Sequence, residues 1–342
     1  MDPLTQGALG AALPQATWTA WTRHNKTQVA VAGVLGMLGG MAADLDVLIR
    51  SNTDPLMFLA YHRQFTHSLI FMPLGGLITA IALHGIFARR WQLSFWQTVI
   101  ICTLGYATHA LLDSATSYGT QLLWPFSETR ISWSIVSIID PLFTLPLAGL
   151  VIMAGIKGNP WLARVGLAWG LLYLGAGWMQ HQAAYSIAED IAASRGHTPI
   201  RVEVKPSFGN ILVWKSIYET DDRFYVEAVR AGIAPKVFQG TSVPKLETAR
   251  DFPWLAPTSQ QARDIERFSG FSDGFVAIDP DQENRIIDVR YSFVPNDVSA
   301  LFSIELNPEG APNTHVYYRT HREHARDSIH TLWQMLSSAP PQ

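Results

Sequence analysis

The feature that most constrains this chain is the unequal spread of its apolar residues. Nearly all the long apolar runs lie in residues 1–184, and the rest reads as a soluble segment of mixed charge. Hydrocarbon cannot satisfy backbone polar groups, so runs approaching ~20 apolar residues are read as membrane helices. Such runs occupy 29–49, 67–88, 95–115, 133–155 and 161–181. A shorter segment, 4–20, carries Gln6, Pro14 and Gln15 and either dips into the membrane or crosses it. The expected architecture is an α-helical membrane bundle of about five or six transmembrane segments (1–184), followed by a soluble α+β domain with an antiparallel sheet (185–342). Gly33, Gly36, Gly39 and Gly40 would allow close helix contact in the bundle. The N-terminus does not read as a secretory signal, because Asp2 stands where basic residues belong and Pro14 breaks the apolar stretch.

Basic residues set the expected orientation. With six crossings, Arg23 and Lys26, Arg89 and Arg90, and Lys157 and Arg164 all fall on one side, which the positive-inside rule assigns to the cytoplasm. The N-terminus, the connections 44–67 and 109–133, and the C-terminal domain then share the extracytoplasmic face. Trp91, Trp96, Trp124, Trp133, Trp161 and Trp178 fit an interfacial belt. No basic block or aromatic-plus-basic stripe points to nucleic acid, and the net charge of −3 averages two unlike halves. With Cys102 as the sole cysteine, an intrachain disulfide and a cysteine-rich metal site are both excluded.

Beyond residue 185 the pattern changes to short β-rich runs at 211–218, 223–229, 275–278, 286–293 and 301–306, with helical stretches at 259–268 and 323–336.

The ionisable residues carry the chemistry. One such side chain near hydrocarbon costs roughly 2.5–3.5 kcal/mol on insertion scales unless it is paired or metal-bound. Several of them gather at segment ends in the first third of the chain, which suggests a common partner. His109 and Asp113 are four apart and share a helix face, so they can grip one ion or two adjacent ions. The plainer alternative is a buried histidine hydrogen-bonded to an aspartate. His62 and His67 are five apart, about 140° on a helix, so a loop entering a helix is expected there, with Thr66 or Ser68 capping the third segment. Arg63 suits a phosphate or another anionic group, or lipid headgroups if it is merely interfacial. Asp44 and Asp46 end a helical run, where carboxylates oppose the helix dipole and a cation would explain them. Asp140 before Pro141 reads as an N-cap in preference to a further ligand. His24 and His84 read as interfacial, and His321, Glu323 and His324 as an exposed helix start in preference to a second metal site.

Four separated motifs, in order, resemble a known family. Met1-Asp2-Pro3-Leu4-Thr5-Gln6, the stretch Gly36 to Asp46, His62 to Ser68, and Gly105 to Asp113 with Trp124-Pro125-Phe126 look like the YdjM-type membrane-bound metal-dependent hydrolases. The family's motifs are in turn similar to those of zinc-dependent phospholipase C and the P1-type nucleases. The resemblance covers residues 1–180 and implies a bacterial inner-membrane, multi-pass protein with a divalent metal, zinc. Its ligands would be Asp44, Asp46, His62, His67, His109 and Asp113. The donor set itself suits zinc or manganese better than calcium. The implied reaction is metal-assisted hydrolysis of a phosphoester or lipid-linked substrate at the membrane lipid, with Asp46 as general base and Arg63 holding the anionic group. One position departs: Gln6 stands where the family has a histidine after threonine, so one ligand or metal position is expected to be missing. A transport or ion-binding protein using the same polar cluster is the alternative from another class, and an inactive hydrolase-like scaffold is a third.

Overall fold

The structure, a computed structural model, describes residues 1–17, 26–232, 234–322 and 325–337. The chain divides into two compact units. The first comprises Met1–Leu48, Tyr61–Trp178 and Phe208–Asn210; the second comprises Ile49–Ala60, Met179–Ser207 and Ile211–Gln342.

The first unit is helical. Helix α1 (Pro3–Thr17), α2 (Lys26–Met41) and α5 (Phe95–Ala115) form its centre, because glycines remove the side chains that would hold them apart. A Cβ on Gly105 would lie 2.2 Å from the Gly36 carbonyl oxygen, and one on Gly36 would lie 2.4 Å from that of Gly10. Beyond α2 the chain tightens into a 3-10 segment, Ala42–Leu48, which carries Asp44 and Asp46. After a short helix α3 (Met57–Tyr61), which belongs to the second unit up to Ala60, a 3-10 turn (Phe65–His67) precedes α4 (Met72–Ile86). Ser94 caps α5 through a reciprocal pair with Gln97. Helix α6 (Pro141–Lys157) starts where Asp140 accepts hydrogen bonds from the Leu142 and Phe143 amides, so Asp140 is the N-cap.

Two helical stretches of this unit, Lys26–Leu48 and Phe95–Ala115, are long and apolar enough to cross a membrane. The pair Met57–His67 and Met72–Ile86, bent by 90°, makes a third if it counts as one span. The expectation of five or six segments is therefore not met among the described residues. Helix α1 has 15 residues and contains Pro14. The run 133–155 is helical only from Pro141, and the helix there, Pro141–Lys157, has 17 residues. Helix α7 (Pro160–Ser194) is long, but glycines, tryptophans and Arg164 dilute its apolar half. Thr66 and Ser68 do not cap the third segment either, since the N-cap of α4 is Phe71, which makes no side-chain cap.

The second unit holds two four-stranded antiparallel sheets, ordered β1-β2-β3-β4 and β5-β6-β7-β8. The first comprises β1 (Arg201–Pro206), β2 (Val213–Glu219), β3 (Arg223–Arg230) and β4 (Lys236–Pro244). The second comprises β5 (Val276–Asp279), β6 (Gln282–Asp288), β7 (Phe302–Glu305) and β8 (Tyr317–Thr320). Phe224 and Val226 meet Phe275, Ala277 and Ile287 in a core shared by both sheets. Short α8 (Thr248–Asp251), amphipathic α9 (Gln260–Phe271), capped by Ser259, and α10 (Ala325–Ser337) complete the unit. A second core joins Ile265 and Phe268 of α9 to Ile286 and Ile304, and it takes in Leu56 and Leu59 from the segment 49–60.

Candidate metal centre

Four side chains from three stretches of the first unit meet at one point. Asp44 comes from the 3-10 turn after α2, His67 from the turn before α4, and His109 and Asp113 from successive turns of one face of α5. Their ligand atoms all lie within 4.8 Å of one another. The two histidine Nε2 atoms are 2.9 Å apart. Asp44 Oδ1 is 3.6 Å from His67 Nε2 and 3.4 Å from His109 Nε2. Asp113 Oδ2 is 3.3 Å and 3.6 Å from the same two nitrogens. Four ligands placed tetrahedrally at zinc bond lengths of ~2.0–2.1 Å would be about 3.3–3.4 Å apart. The spacing fits.

The hydrogen-bond roles point the same way. His109 Nδ1 faces the Gly40 carbonyl, an acceptor only, so Nδ1 carries the proton and Nε2 presents a lone pair. Thr66 Oγ1 donates its hydrogen to Asp46 Oδ2, at 2.9 Å, and so accepts from His67 Nδ1, also at 2.9 Å. His67 Nε2 is then a lone pair as well. Asp113 Oδ1 is used by the Gln6 amide at 2.8 Å and by the Met1 amine, whereas buried Oδ2 accepts no hydrogen bond. With both rings neutral, two nitrogen lone pairs and two carboxylate oxygens face one another at contact distance, an arrangement that repels itself unless a proton or a metal cation lies between. Carboxylate or carbonyl partners on the far nitrogen are what metal-ligating histidines use to fix their tautomer.

A second group adjoins the first through Asp44, with Asp46 and His62. Asp46 accepts from the Arg63 amide at 3.0 Å and from Thr66, and lies 2.8 Å from His62 Nδ1 and 3.3 Å from His67 Nδ1. It is a hub that orients both histidines. Arg63 adopts a left-handed backbone with φ of 62°. Strain of this kind, of order 1–3 kcal/mol, persists only where surroundings impose it. Here it sends the amide to Asp46 and the guanidinium to Asp113. Arg63 Nε lies 3.0 Å from Asp113 Oδ2 without hydrogen-bond alignment, and Nη1 donates to Thr116 Oγ1 at 3.1 Å. The side chain is buried and sits over Tyr118, away from any open interface. Asp44 and His62, with side chains 25% and 30% exposed, are the open side of an otherwise closed cluster.

All six expected ligands and Arg63 therefore come together. Gln6 also reaches the cluster, its Nε2 on Asp113 and its buried Oε1 without a hydrogen-bond partner. The Gly40 carbonyl and Thr116 were not foreseen; Thr116, three residues beyond Asp113 at the end of α5, was the available signal. His84 bonds to Thr98 Oγ1 at 2.9 Å, and His321 to Ser303 Oγ at 2.8 Å, so neither belongs to this centre. His24, Glu323 and His324 lie outside the described residues.

Comparison with known proteins places the N-terminal region. The inner membrane protein YbcI of Escherichia coli (strain K12) is 27% identical over 144 residues, covering 39% of this chain and 80% of that protein. The uncharacterized protein YfhP of Bacillus subtilis (strain 168) is 25% identical over 117 residues, covering 34% of this chain and 35% of that protein. No solved structure matches the chain. The expected similarity to zinc-dependent phospholipase C and P1 nucleases is not shown by these comparisons. Residues 1–184, more than half the chain and the stretch that contains every residue of the histidine–aspartate cluster, match the YdjM inner membrane protein family, and the chain belongs to that family.

Proposed function

We propose that this protein is a membrane-bound, metal-dependent hydrolase acting on a phosphoester or lipid-linked substrate. The observation that carries the reading is the convergence of His67 Nε2, His109 Nε2, Asp44 Oδ1 and Asp113 Oδ2 on one point, with Asp113 Oδ2 left without a hydrogen bond. Those four residues would hold the ion, zinc or manganese. When bound, the ion supplies Lewis acidity toward water and toward an ester oxygen.

The chain's own residues supply the proton transfers. His62 gives Nδ1 to Asp46, so its Nε2 can take a proton from the attacking water, with Asp46 holding the ring as an orienting carboxylate does. As the water oxygen bonds to phosphorus and the ester P–O bond breaks, that proton passes to the leaving oxygen. Asp46 in this scheme acts through His62. Arg63 sets its charge against Asp113, which lowers the cost of bringing an anionic ester toward three carboxylates. The exposed edge at Asp44 and His62 is the side from which water and substrate arrive. A second ion held by Asp44, Asp46 and His62 is a further reading, favoured by the close approach of their ligand atoms.

The extracytoplasmic, multi-pass arrangement belongs to the same proposal. The basic residues on the other connections support an extracytoplasmic face for the connection 44–67, and such a face suits an amphiphilic substrate.

Elemental analysis of the purified, zinc-replete protein tests the centre. We expect one equivalent of transition metal, or two if the second ion binds, falling at least tenfold in His109→Ala and in Asp113→Ala. Absence of metal from the wild type rejects the reading. Hydrolysis of phosphodiesters and lipid phosphoesters that survives in both variants removes these residues from the mechanism.

A further inference from the structure

We propose that Arg130 is a positioning residue for Asp46 and His62 and acts on them through a single peptide plane. This inference rests on the metal-centre reading above, in which His62 takes the proton of the attacking water and Asp46 holds its ring.

The peptide between His62 and Arg63 is gripped at both ends. Its carbonyl, that of His62, accepts from Arg130 Nη1 at 3.3 Å and from Nη2 at 3.2 Å. Its N–H, that of Arg63, donates to Asp46 Oδ2 at 3.0 Å. A peptide unit is planar, so fixing the direction of the carbonyl fixes that of the N–H. The guanidinium brings two donors in a rigid fork to one oxygen, and its charge polarises the amide, which makes the N–H a stronger donor to Asp46. Asp46 Oδ1 in turn lies 2.8 Å from His62 Nδ1. The contacts thus return to the imidazole whose backbone Arg130 holds.

The plane needs holding because a relaxed backbone would turn it the other way. Arg63 has φ of 62°, in the left-handed region that a side chain disfavours. Flipping the 62–63 peptide would carry that φ into the ordinary negative range and swing the N–H away from Asp46.

Arg130 is presented by a hairpin of the same helical unit. Thr120 and Ile131 pair as an antiparallel bridge, with N···O distances of 3.0 and 2.9 Å. Gly119 lets the arms close: its φ is 75°, and a Cβ there would lie 2.8 Å from Arg130 Cβ. From this hairpin the Gln121 amide donates to the Arg63 carbonyl at 3.0 Å, and the Leu122 carbonyl accepts the Leu69 amide at 2.9 Å. These backbone contacts survive a change of side chain at 130. An Arg130 variant therefore keeps the hairpin docked and loses only the grip on the 62–63 plane.

The test uses the full chain in detergent with Arg130→Ala and the conservative Arg130→Lys, which keeps one donor group for the carbonyl. Exchange of the Arg63 amide, followed by NMR, should rise about tenfold in Arg130→Ala and less in Arg130→Lys, with the amides of Gln121 and of Phe95–Ala115 unchanged. Zinc titrated alone should bind the first group within about threefold of wild type, since none of its ligands is altered. With a phosphodiester probe, Arg130→Ala should lower kcat about tenfold at constant KM and add nothing in a His62→Ala background, while Arg130→Lys recovers most of the loss. An unchanged Arg63 amide in Arg130→Ala overturns the grip. An equal loss of kcat with and without His62 overturns action through that residue. A wild type that binds no metal overturns the metal-centre reading, while the amide exchange still decides the grip.

Discussion

Gln6 is the residue on which the metal count turns. Its amide donates to Asp113 Oδ1, while its buried Oε1 meets no donor. An imidazole at that position would put a nitrogen donor beside a carboxylate already aimed at the cluster. Gln6→His should therefore raise zinc affinity or stoichiometry, at least tenfold in Kd or by one equivalent, measured by titration calorimetry. An unchanged isotherm would show that the amide costs the centre nothing. The six acidic and imidazole residues of the cluster were visible in the sequence because charge near hydrocarbon needs a reason. Their orienting partners were not. The Gly40 carbonyl on His109 is a backbone atom that any residue would supply, and Thr66 on His67 was read as a cap. Asp140 was readable as an N-cap because aspartate before proline has a local mechanism, and Tyr173 adds a hydrogen bond at 2.8–2.9 Å from another helix that no local pattern encodes.

Helices α2 and α5 bring Asp44, His109 and Asp113 together only because glycines let the backbones touch. The Cβ of Gly105→Ala would fall 2.2 Å from the Gly36 carbonyl oxygen, a backbone atom that cannot step aside. Overpacking typically costs about 1–3 kcal/mol, and a clash with backbone belongs at the upper end. Gly105→Ala should lower the melting temperature in detergent and weaken zinc binding together, whereas Gly149→Ala, with open space around it, should do neither. Equal melting of the two variants would separate the glycine contacts from the integrity of the centre. Length and apolarity sufficed to place α5 at Phe95–Ala115. The same criteria overextended the run at 133–155, where irregular chain lined with Ser134 and Ser137 precedes the helix. Among strands, β2 and β3 were legible from β-branched and aromatic runs. Strand β4 was missed because Gln239, Gly240, Thr241 and Ser242 carry little such signal and the strand is largely exposed, and β8 because it spans only four residues.

Across the whole molecule, the two units bury charge for different reasons. The helical unit gathers carboxylates and imidazoles around a point that could hold a cation, whereas the second unit buries the amines of Lys205 and Lys215. Lys215 on β2 is 3% exposed, and its Nζ donates to Ser292 Oγ at 2.9 Å and to the Asp297 carbonyl at 2.6 Å. Burial pushes its ammonium down from 10.5 to about 7, with nearby Lys205 adding to the shift and Asp297 and Asp288 opposing it. The unfolded chain keeps that proton up to about 10.5, so between the two values it binds more protons than the folded chain. Stability must then rise with pH across this window: the contribution is complete above about 10.5 and is lost as pH falls to about 7. On the order of 5 kcal/mol is at stake. Lys215→Met removes the titration while keeping most of the side-chain volume. Near-UV circular dichroism melts of the full chain at pH 7, 8.5 and 10 should show wild type gaining stability relative to Lys215→Met at each step. Other tyrosines and lysines titrate in this range, and the difference between the two proteins isolates the Lys215 amine. A constant difference would mean that Lys215 keeps its proton in the fold, with Asp288 and Asp297 outweighing burial.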